Sequence, residues 1–403
     1  MYKIKILFGR AIVFSLYSLI RLFSFLPTKK QKSSDNVVVL TGTFYSKNWI
    51  NAHLVPLVTC SSIKHVYIVS SGIDYNIEGL SVIIPSPTLS KFIGSTLARL
   101  ITFFVFSLSK KTDYIGGFHI LFNATLSILF ANIIRCRSIY FSVGGITETL
   151  EAGKTENSFF KFLDGKDDFL TRYICKIAAN ATYVITMGNG AKSFLSSNGV
   201  NHKKIHVISG AIDKNRFYPP SKAVDKKYDL VLTARLSKVK QVDLLLDILA
   251  CLKKQNFSCN ALVIGDGPLL TSLKQYAKTL AISHMVNFVG HQDDVLNWLQ
   301  QSKIYILTSR SEGLALSMLE GLKVGLPAIV PNVGDLSDVL VDGFNGSLIE
   351  NHSIDDFVQQ IKSLLGNVQL LEKLSCNAIA STKRFDLECV QKQWDDVFIK
   401  GDD

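Results

Sequence analysis

Ile304-Tyr-Ile-Leu-Thr-Ser-Arg-Ser-Glu-Gly-Leu-Ala-Leu-Ser-Met-Leu-Glu320 is the stretch that decides the fold. Ile304–Leu307 is an apolar run of strand length. A polar loop follows, and Ser311, Glu312 and Gly313 form the entry to a helix expected from about Leu314. Strand, short loop and helix in that order make half of a βαβ unit. Glu312 and Glu320 are eight residues apart, about 12 Å along a helix and roughly 80° around it. Backbone N–H groups at such an entry have no helical partner and favour an anion. A carboxylate at each end of that span can accept hydrogen bonds from paired hydroxyls. Taken alone, the same two residues also fit a capping Glu and a surface Glu.

Outward from this unit the alternation continues. Leu230–Thr233, Asn260–Ile264, Val286–Val289, Ala328–Val330 and Gly346–Ile349 read as strands, and Val242–Lys253, Leu269–Thr279 and Leu316–Lys323 as helices. Val37–Leu40, His65–Val69, Val82–Ile84, Ser138–Phe141 and Tyr183–Ile185 repeat the pattern in the first half. Apolar strands alternating with helices predict α/β architecture, with parallel sheets covered on both faces. Arg216-Phe-Tyr-Pro-Pro-Ser-Lys-Ala-Val-Asp-Lys-Lys227 reads as an exposed linker. Two doubly wound, Rossmann-like domains are therefore expected, residues 33–219 and 220–385. Ligands in such sheets lie beyond the carboxyl ends of the strands, and two domains facing across a cleft would share the site.

Composition supports a chain that folds. Of 403 residues, 47% are apolar and 19% charged, enough to bury large cores. The seven cysteines are scattered, with no Cys-x-x-Cys and no zinc-ligand spacing, which fits a reducing compartment. The net charge of +11 is uneven: residues 1–32 carry seven Lys/Arg and no Asp/Glu, and residues 221–403 carry 19 basic and 22 acidic groups. A basic first half points to an anionic surface as partner.

Residues 1–32 form a basic, apolar segment. Ala11–Ile20 carries no charge and as a helix covers about 15 Å, roughly half a bilayer core. Arg10, Arg21 and Lys3 fall on one stripe, so a helix lying in the membrane interface with its basic edge to the headgroups is expected, a spanning helix being the alternative. No small-residue cleavage site follows Leu26. Tyr114–Ile134 is also free of formal charge and long enough to span. A short strand, a turn at Gly116–Gly117 and a buried helix explain it better, since it contains Asn123 and Asn132.

Further motifs sit at strand ends. Thr233-Ala-Arg-Leu-Ser-Lys-Val-Lys240 places Arg235, a planar fork suited to a diphosphate, and Lys240, a point charge, between a strand and a helix. A solvated basic loop is the plainer reading. Gly265-Asp-Gly-Pro268 is a sharp turn, and Val286-Asn-Phe-Val-Gly290-His291 is a strand ending in glycine.

Taken in order, Arg235-Leu-x-x-x-Lys240, Gly265-Asp-Gly-Pro, Phe288-x-Gly290, Ser309-x-x-Glu312-Gly313, Glu312-x₇-Glu320 and Gly325-Leu-Pro327 resemble the C-terminal domain of retaining family-4 glycosyltransferases of the GT-B fold. The resemblance covers about Leu230 to Ile349 and is of the bacterial cell-surface polysaccharide type. It implies that Arg235 and Lys240 hold a nucleotide diphosphate, Glu312 the donor-sugar hydroxyls and Glu320 the ribose hydroxyls. Backbone at Gly313, Leu314, Ala315 and Leu316 would meet sugar and phosphate, and Gly290–His291 the base. In the first domain, Gly42 in Leu40-Thr-Gly-Thr-Phe matches the family's glycine loop loosely, and His119 matches its sugar-contacting histidine. Residues 386–403 resemble the family's terminal helix, which crosses back to the first domain. Departures are Ser209 for Asn, Gln241 for Gly, Glu312-Gly-Leu-Ala for Glu-Gly-Phe-Gly, and Gly321 for Ala.

The resemblance implies a nucleotide-sugar donor, a lipid-linked or oligosaccharide acceptor, and transfer that keeps the anomeric configuration. With the basic segment and reducing context, the place implied is the cytoplasmic face of the cell membrane, peripheral or N-terminally anchored. The chain contains no Asp-x-Asp, so no metal or other cofactor is expected. Asp167-Asp168 and Asp293-Asp294 read as solvated loops. No Walker loop, Gly-x-Ser-x-Gly or zincin His pair occurs. A non-transferase sugar-nucleotide enzyme of the same fold, or a non-catalytic assembly subunit, are the alternatives. No nucleic-acid-binding module is present.

Overall fold

The structure, a computed structural model, describes residues 2–28, 35–42, 47–70, 77–150, 160, 163 and 165–400. The chain divides into two compact units, Met1–Ala211 with Glu388–Asp403, and Ile212–Leu387. The first holds β1 (Asn36–Thr41), β2 (Ile63–Val69), β3 (Leu80–Ile83), β4 (Tyr114–Phe118), β5 (Arg137–Ser142), β6 (Tyr183–Thr186) and β7 (Ile205–Val207). The second holds β8 (Tyr228–Thr233), β9 (Ala261–Ile264), β10 (Val286–Gly290), β11 (Ser302–Ile306), β12 (Ala328–Pro331) and β13 (Gly346–Ile349). Both sheets are parallel, ordered β3-β2-β1-β4-β5-β6-β7 and β10-β9-β8-β11-β12-β13. In each, the strand order reverses once, at β1/β4 and at β8/β11. Crevices at the carboxyl ends of those strand pairs are where doubly wound sheets bind ligands.

The apolar runs become central strands because both faces are buried, and side chains alternate between two cores. In the second unit Leu230, Leu232, Ile304 and Ile306 join the core under the helices Val242–Lys254 and Ile354–Leu365. Val231, Tyr305 and Leu307 point the other way, under the helix Leu316–Val324. In the first unit the helices Thr125–Ile134 and Asp168–Ala178 cover one face. On the other, the helix Leu387–Lys400 brings Trp394 to 5.8 Å from Phe141 and Phe398 to 5.0 Å from Tyr114.

Three expectations change. Gly116 and Gly117 form no turn; they lie inside β4, and a π-type kink at Ile120–Ala124 follows before the helix Thr125–Ile134. A Cβ on Gly117 would lie 2.5 Å from the Asn123 and Ala124 backbone, so glycine lets the chain double back over its own strand. The stretch 216–227 is not free of the second unit. Phe217 is in its core, and Lys226 Nζ donates to Gln300 O at 2.8 Å and Ser302 O at 3.0 Å. Strand β7 was not legible at all, being three residues long.

Third, the N-terminal helix Tyr2–Phe23 is part of the first unit. Arg10 does not face headgroups: its Nε and Nη2 donate to the Asp167 carboxylate at 3.1 and 3.2 Å, and its guanidinium lies 5.5 Å from the Phe169 ring centroid. Asp167 is thus no solvated loop residue; it is buried and also caps the helix Asp168–Ala178 through the Phe169 and Leu170 N–H groups. Val13 and Ile20 are buried against the unit, while Ile4, Leu7, Phe8, Phe14 and Leu22 are exposed. Gly117→Ala is expected to lower the unfolding free energy of the first unit by about 2–3 kcal/mol, read by urea denaturation, because the obstacle is backbone that cannot yield.

Candidate functional site

The groups expected to carry chemistry fall at the carboxyl ends of β8 and β11 in the second unit, and of β1, β4 and β5 in the first. In the second unit, the loop after β8 and the loop after β11 are tied together. Arg310 N donates to Val239 O at 2.8 Å, and Thr308 Oγ1 to Lys240 O at 3.1 Å. Lys240 Nζ donates to Glu312 Oε1 at 2.6 Å, with the lysine 24% and the glutamate 8% exposed. The expected diphosphate cation and the expected sugar-binding carboxylate therefore meet directly.

Arg235 is exposed, and its guanidinium makes no hydrogen bond or ion pair among the described residues. Its loop is set by the Gly265 turn: Ala234 N donates to Ile264 O at 3.0 Å, and a Cβ on Gly265 would stand 1.9 Å from Ala234 O. The Glu312-Gly313 turn is held the same way. A Cβ on Gly334 would stand 2.0 Å from Glu312 O, and Asp335 N donates to Gly313 O at 3.0 Å. The Gly-Asp-Gly-Pro turn and Gly334 each let backbone press against a loop of the candidate site.

The helix after β11 starts at Leu316, the later of the two starts read from the sequence, and Ala315 is its N-cap with no side-chain cap. Glu312 precedes the helix, so the span computed along a helix axis does not apply. Both carboxylates act electrostatically on one group: burial raises the pKa of the Tyr305 hydroxyl, and the charges of Glu320 and Glu312 raise it further. Leu314, Ala315 and Leu316 pack on the core and leave an uncapped helix mouth beside Glu312. Uncapped N–H groups at that end attract an anion. Burial pushes the Glu320 carboxyl up to about 7, against the pull of the Arg216 charge. Gly290 ends β10 and accepts from Gly265 N at 2.8 Å, while His291 is exposed and lies 3.4 Å from Asp293.

In the first unit, His119 has φ 66°, an uncommon backbone for a residue with a side chain, directly after β4. Its Nδ1 lies 2.8 Å from Glu148 Oε1, and Glu148 also accepts from Ile120 N at 3.0 Å, Tyr140 Oη at 2.9 Å and Gly144 N at 2.5 Å. The Glu148 side chain is 6% exposed and that of His119 43%. His119 is thus neither packed core nor free. Burial draws its pKa down, but the Glu148 charge and hydrogen bond outweigh that and hold it above 6.5. Buried Arg99 donates to Thr41 Oγ1 at 2.8 Å and Asn123 Oδ1 at 3.0 Å, fastening the end of β1 to the kink after β4. Gly42 follows β1 and accepts from Ser70 Oγ at 3.3 Å; Thr43 and Phe44 of its loop lie outside the described residues. Glu148, Arg99 and Tyr140 were missed by the sequence reading. The only signal was Gly144-Gly145 after β5, which allows Glu148 to fold back under His119.

Two titrations follow. Glu320 has a folded pKa raised from 4.5 to about 7. Its contribution to stability is therefore full below pH 4.5 and lost as pH rises through 7. Glu320→Gln should raise the unfolding free energy at pH 8 by on the order of 2 kcal/mol and leave it unchanged at pH 4, measured by denaturation at both. Glu148→Gln should lower the ring pKa of His119 from its wild-type value, followed by the imidazole C–H resonances in NMR.

Residues 213–381 match the family described as Glycosyl transferases group 1. Curated relatives include an uncharacterized glycosyltransferase of Methanocaldococcus jannaschii, 28% identical over 229 residues, 56% of this chain and 62% of that protein. Another is the UDP-Gal:alpha-D-GlcNAc-diphosphoundecaprenol alpha-1,3-galactosyltransferase of Escherichia coli, 27% identical over 175 residues, 40% of this chain and 45% of that protein. The matches thus span less than two thirds of these relatives. Among solved structures, Anabaena HepE in complex with UDP-glucose superposes with a TM-score of 0.68 over 89% of this chain and 98% of its own, at 17% identity. That likeness establishes the fold. Two doubly wound parallel sheets of this kind give the chain the GT-B fold, and residues 213–381 match the glycosyl transferases group 1 family.

Proposed function

We propose that the chain is a retaining, nucleotide-sugar-dependent hexosyltransferase that passes a sugar to a lipid-linked or saccharide acceptor in surface polysaccharide assembly. The observation that carries this reading is the meeting of Lys240 and Glu312 beside an unpaired Arg235 and an uncapped helix mouth, at the strand-order reversal of the second sheet. A carboxylate for hydroxyls and two cations for phosphates there match the two ends of a sugar diphosphate. The relatives' names agree in kind, since one acts on a diphosphoundecaprenol-linked sugar and HepE was seen with UDP-glucose.

In the proposed reaction an acceptor hydroxyl attacks the anomeric carbon on the face from which the diphosphate leaves. The carbon–oxygen bond to the diphosphate breaks, the bond to the acceptor oxygen forms, and the departing phosphate takes the acceptor's proton. Arg235, Lys240 and the N–H groups at Leu316 meet the negative charge that builds on the leaving group. With these positive groups in place, we propose that no metal ion is required. Glu312 holds sugar hydroxyls, with its Lys240 bond keeping its carboxylate turned, and Glu320 holds ribose hydroxyls. Gly290 and His291 serve the base. His119, its Nδ1 fixed by Glu148, presents Nε2 to the sugar. The place of action is the cytoplasmic face of the membrane, with the Tyr2–Phe23 helix lying against an anionic surface.

Lys240→Ala and Glu312→Ala should each reduce transfer by about 10²–10³, while far-ultraviolet circular dichroism and the melting curve still show a folded chain. Near-normal turnover in both variants contradicts the assignment. Assays with and without acceptor separate transfer from hydrolysis, because only a transferase needs acceptor to release nucleotide at full rate. A thermal-shift panel of nucleotide sugars identifies the donor by the rise in melting temperature that selective binding to the native state produces.

A further inference from the structure

The helix Ser95–Ser109 is apolar on both of its sides. Ala98, Leu100 and Phe103 are buried, and Leu97, Ile101, Val105 and Leu108 are 49, 41, 57 and 52% exposed. Their spacing of four, four and three residues sets the exposed four in one stripe along the helix. Just before it, Phe92 of the short helix Pro87–Ile93 is 82% exposed. Single exposed apolar residues are ordinary, but a contiguous stripe marks a surface that meets something.

This stripe shares a sheet face with the N-terminal helix. Phe130 of the helix Thr125–Ile134 packs 4.5 Å from Phe104, and Asn132 of the same helix donates to Ile20 O at 3.2 Å. Thr125–Ile134 therefore lies between the two, with Tyr2–Phe23 on one side and Ser95–Ser109 on the other. Both flanking helices turn apolar residues outward. Charge selects the occupant. No Asp or Glu occurs from Gly79 to Thr112, nor from Met1 to Ser34. Exposed Lys91, Lys110 and Lys111 border one stripe, and Lys3, Lys5 and Arg21 the other. Two such all-basic rims repel each other in a pair of copies, whereas an anionic bilayer attracts both while its acyl region takes the apolar stripe.

We propose that Ser95–Ser109, with Phe92, is a second lipid-contact surface that docks the first unit on an anionic bilayer alongside the N-terminal helix. It rests on the membrane location proposed above and adds a second line of contact, which would fix the tilt of the unit on the membrane.

The test is co-sedimentation of the full chain with vesicles of phosphatidylcholine and phosphatidylglycerol. Ile101→Asn/Val105→Asn/Leu108→Asn should weaken partitioning about tenfold or more. Leu7→Asn/Phe8→Asn/Phe14→Asn should weaken it as well, and the combined variant should abolish it. Lys91→Glu/Lys111→Glu, which alters exposed side chains that make no ion pair or ring contact among the described residues, should weaken binding to these vesicles with the melting temperature unchanged, so the proposal stands or falls even where the triple variant does not fold. Wild-type partitioning by both the Ile101 triple variant and the Lys91/Lys111 variant overturns the proposal. If only the Leu7 triple variant loses binding, the N-terminal helix keeps its membrane role and this second surface is rejected. If the Ile101 triple variant instead splits a dimer into monomers, with vesicle binding intact, the stripe is a contact between copies and the proposal is wrong.

Discussion

The ion pair between Lys240 and Glu312 joins two loops that come from different strands and from positions 72 residues apart in the chain. Both groups are largely withdrawn from water, so each depends on the other. Removing one partner of such a pair leaves the second charge buried and costs about 3–5 kcal/mol in the more enclosed cases. The pair is possible only because β8 and β11 are neighbours, and they are neighbours because the sheet is wound in both directions from β8. Strand order thus delivers cation and carboxylate to one crevice, and the backbone bonds between Val239 and Arg310 and between Lys240 and Thr308 hold them there.

The first unit shows the same principle with a different chemistry. A buried carboxylate, Glu148, takes four donors and leaves none of its capacity idle. It fixes which nitrogen of His119 carries the inward hydrogen bond, and its charge favours the protonated ring. A left-handed backbone at His119 and a second at Phe122 carry strain that Arg99 and Asn123 brace. Strained backbone of this kind persists only where its surroundings insist on it.

The second sheet was readable from its sequence because its central strands carry short apolar runs, Leu230–Leu232, Ala261–Ile264 and Ile304–Ile306, set off by polar residues. Arg235, Lys240, Glu312 and Glu320 were readable because polar residues at strand ends stand out against those runs. What was not readable depends on distant neighbours. Glycine pairs usually turn a chain, yet Gly116–Gly117 stay extended, because the needed bend comes three residues later and folds back over them. Arg10 looked like a headgroup contact, and Asp167, 157 residues away, claims it. Glu148 gave no local sign of its four partners. The departures from the family pattern have local consequences: Gln241 takes a left-handed φ of 43° where glycine is usual, and Gly321 leaves room for the Tyr305 ring, 2.6 Å from where a Cβ would stand.

Arg235, Lys240 and the mouth of the Leu316–Val324 helix make up the proposed diphosphate site. Calorimetric titration of UDP and GDP into the wild type and into Arg235→Ala tests it most directly, with the matching nucleosides as controls. One diphosphate should bind the wild type, Arg235→Ala should weaken it about tenfold or more, and the nucleoside's weaker binding should not change. Equal affinity of wild type and Arg235→Ala for the diphosphate would contradict it.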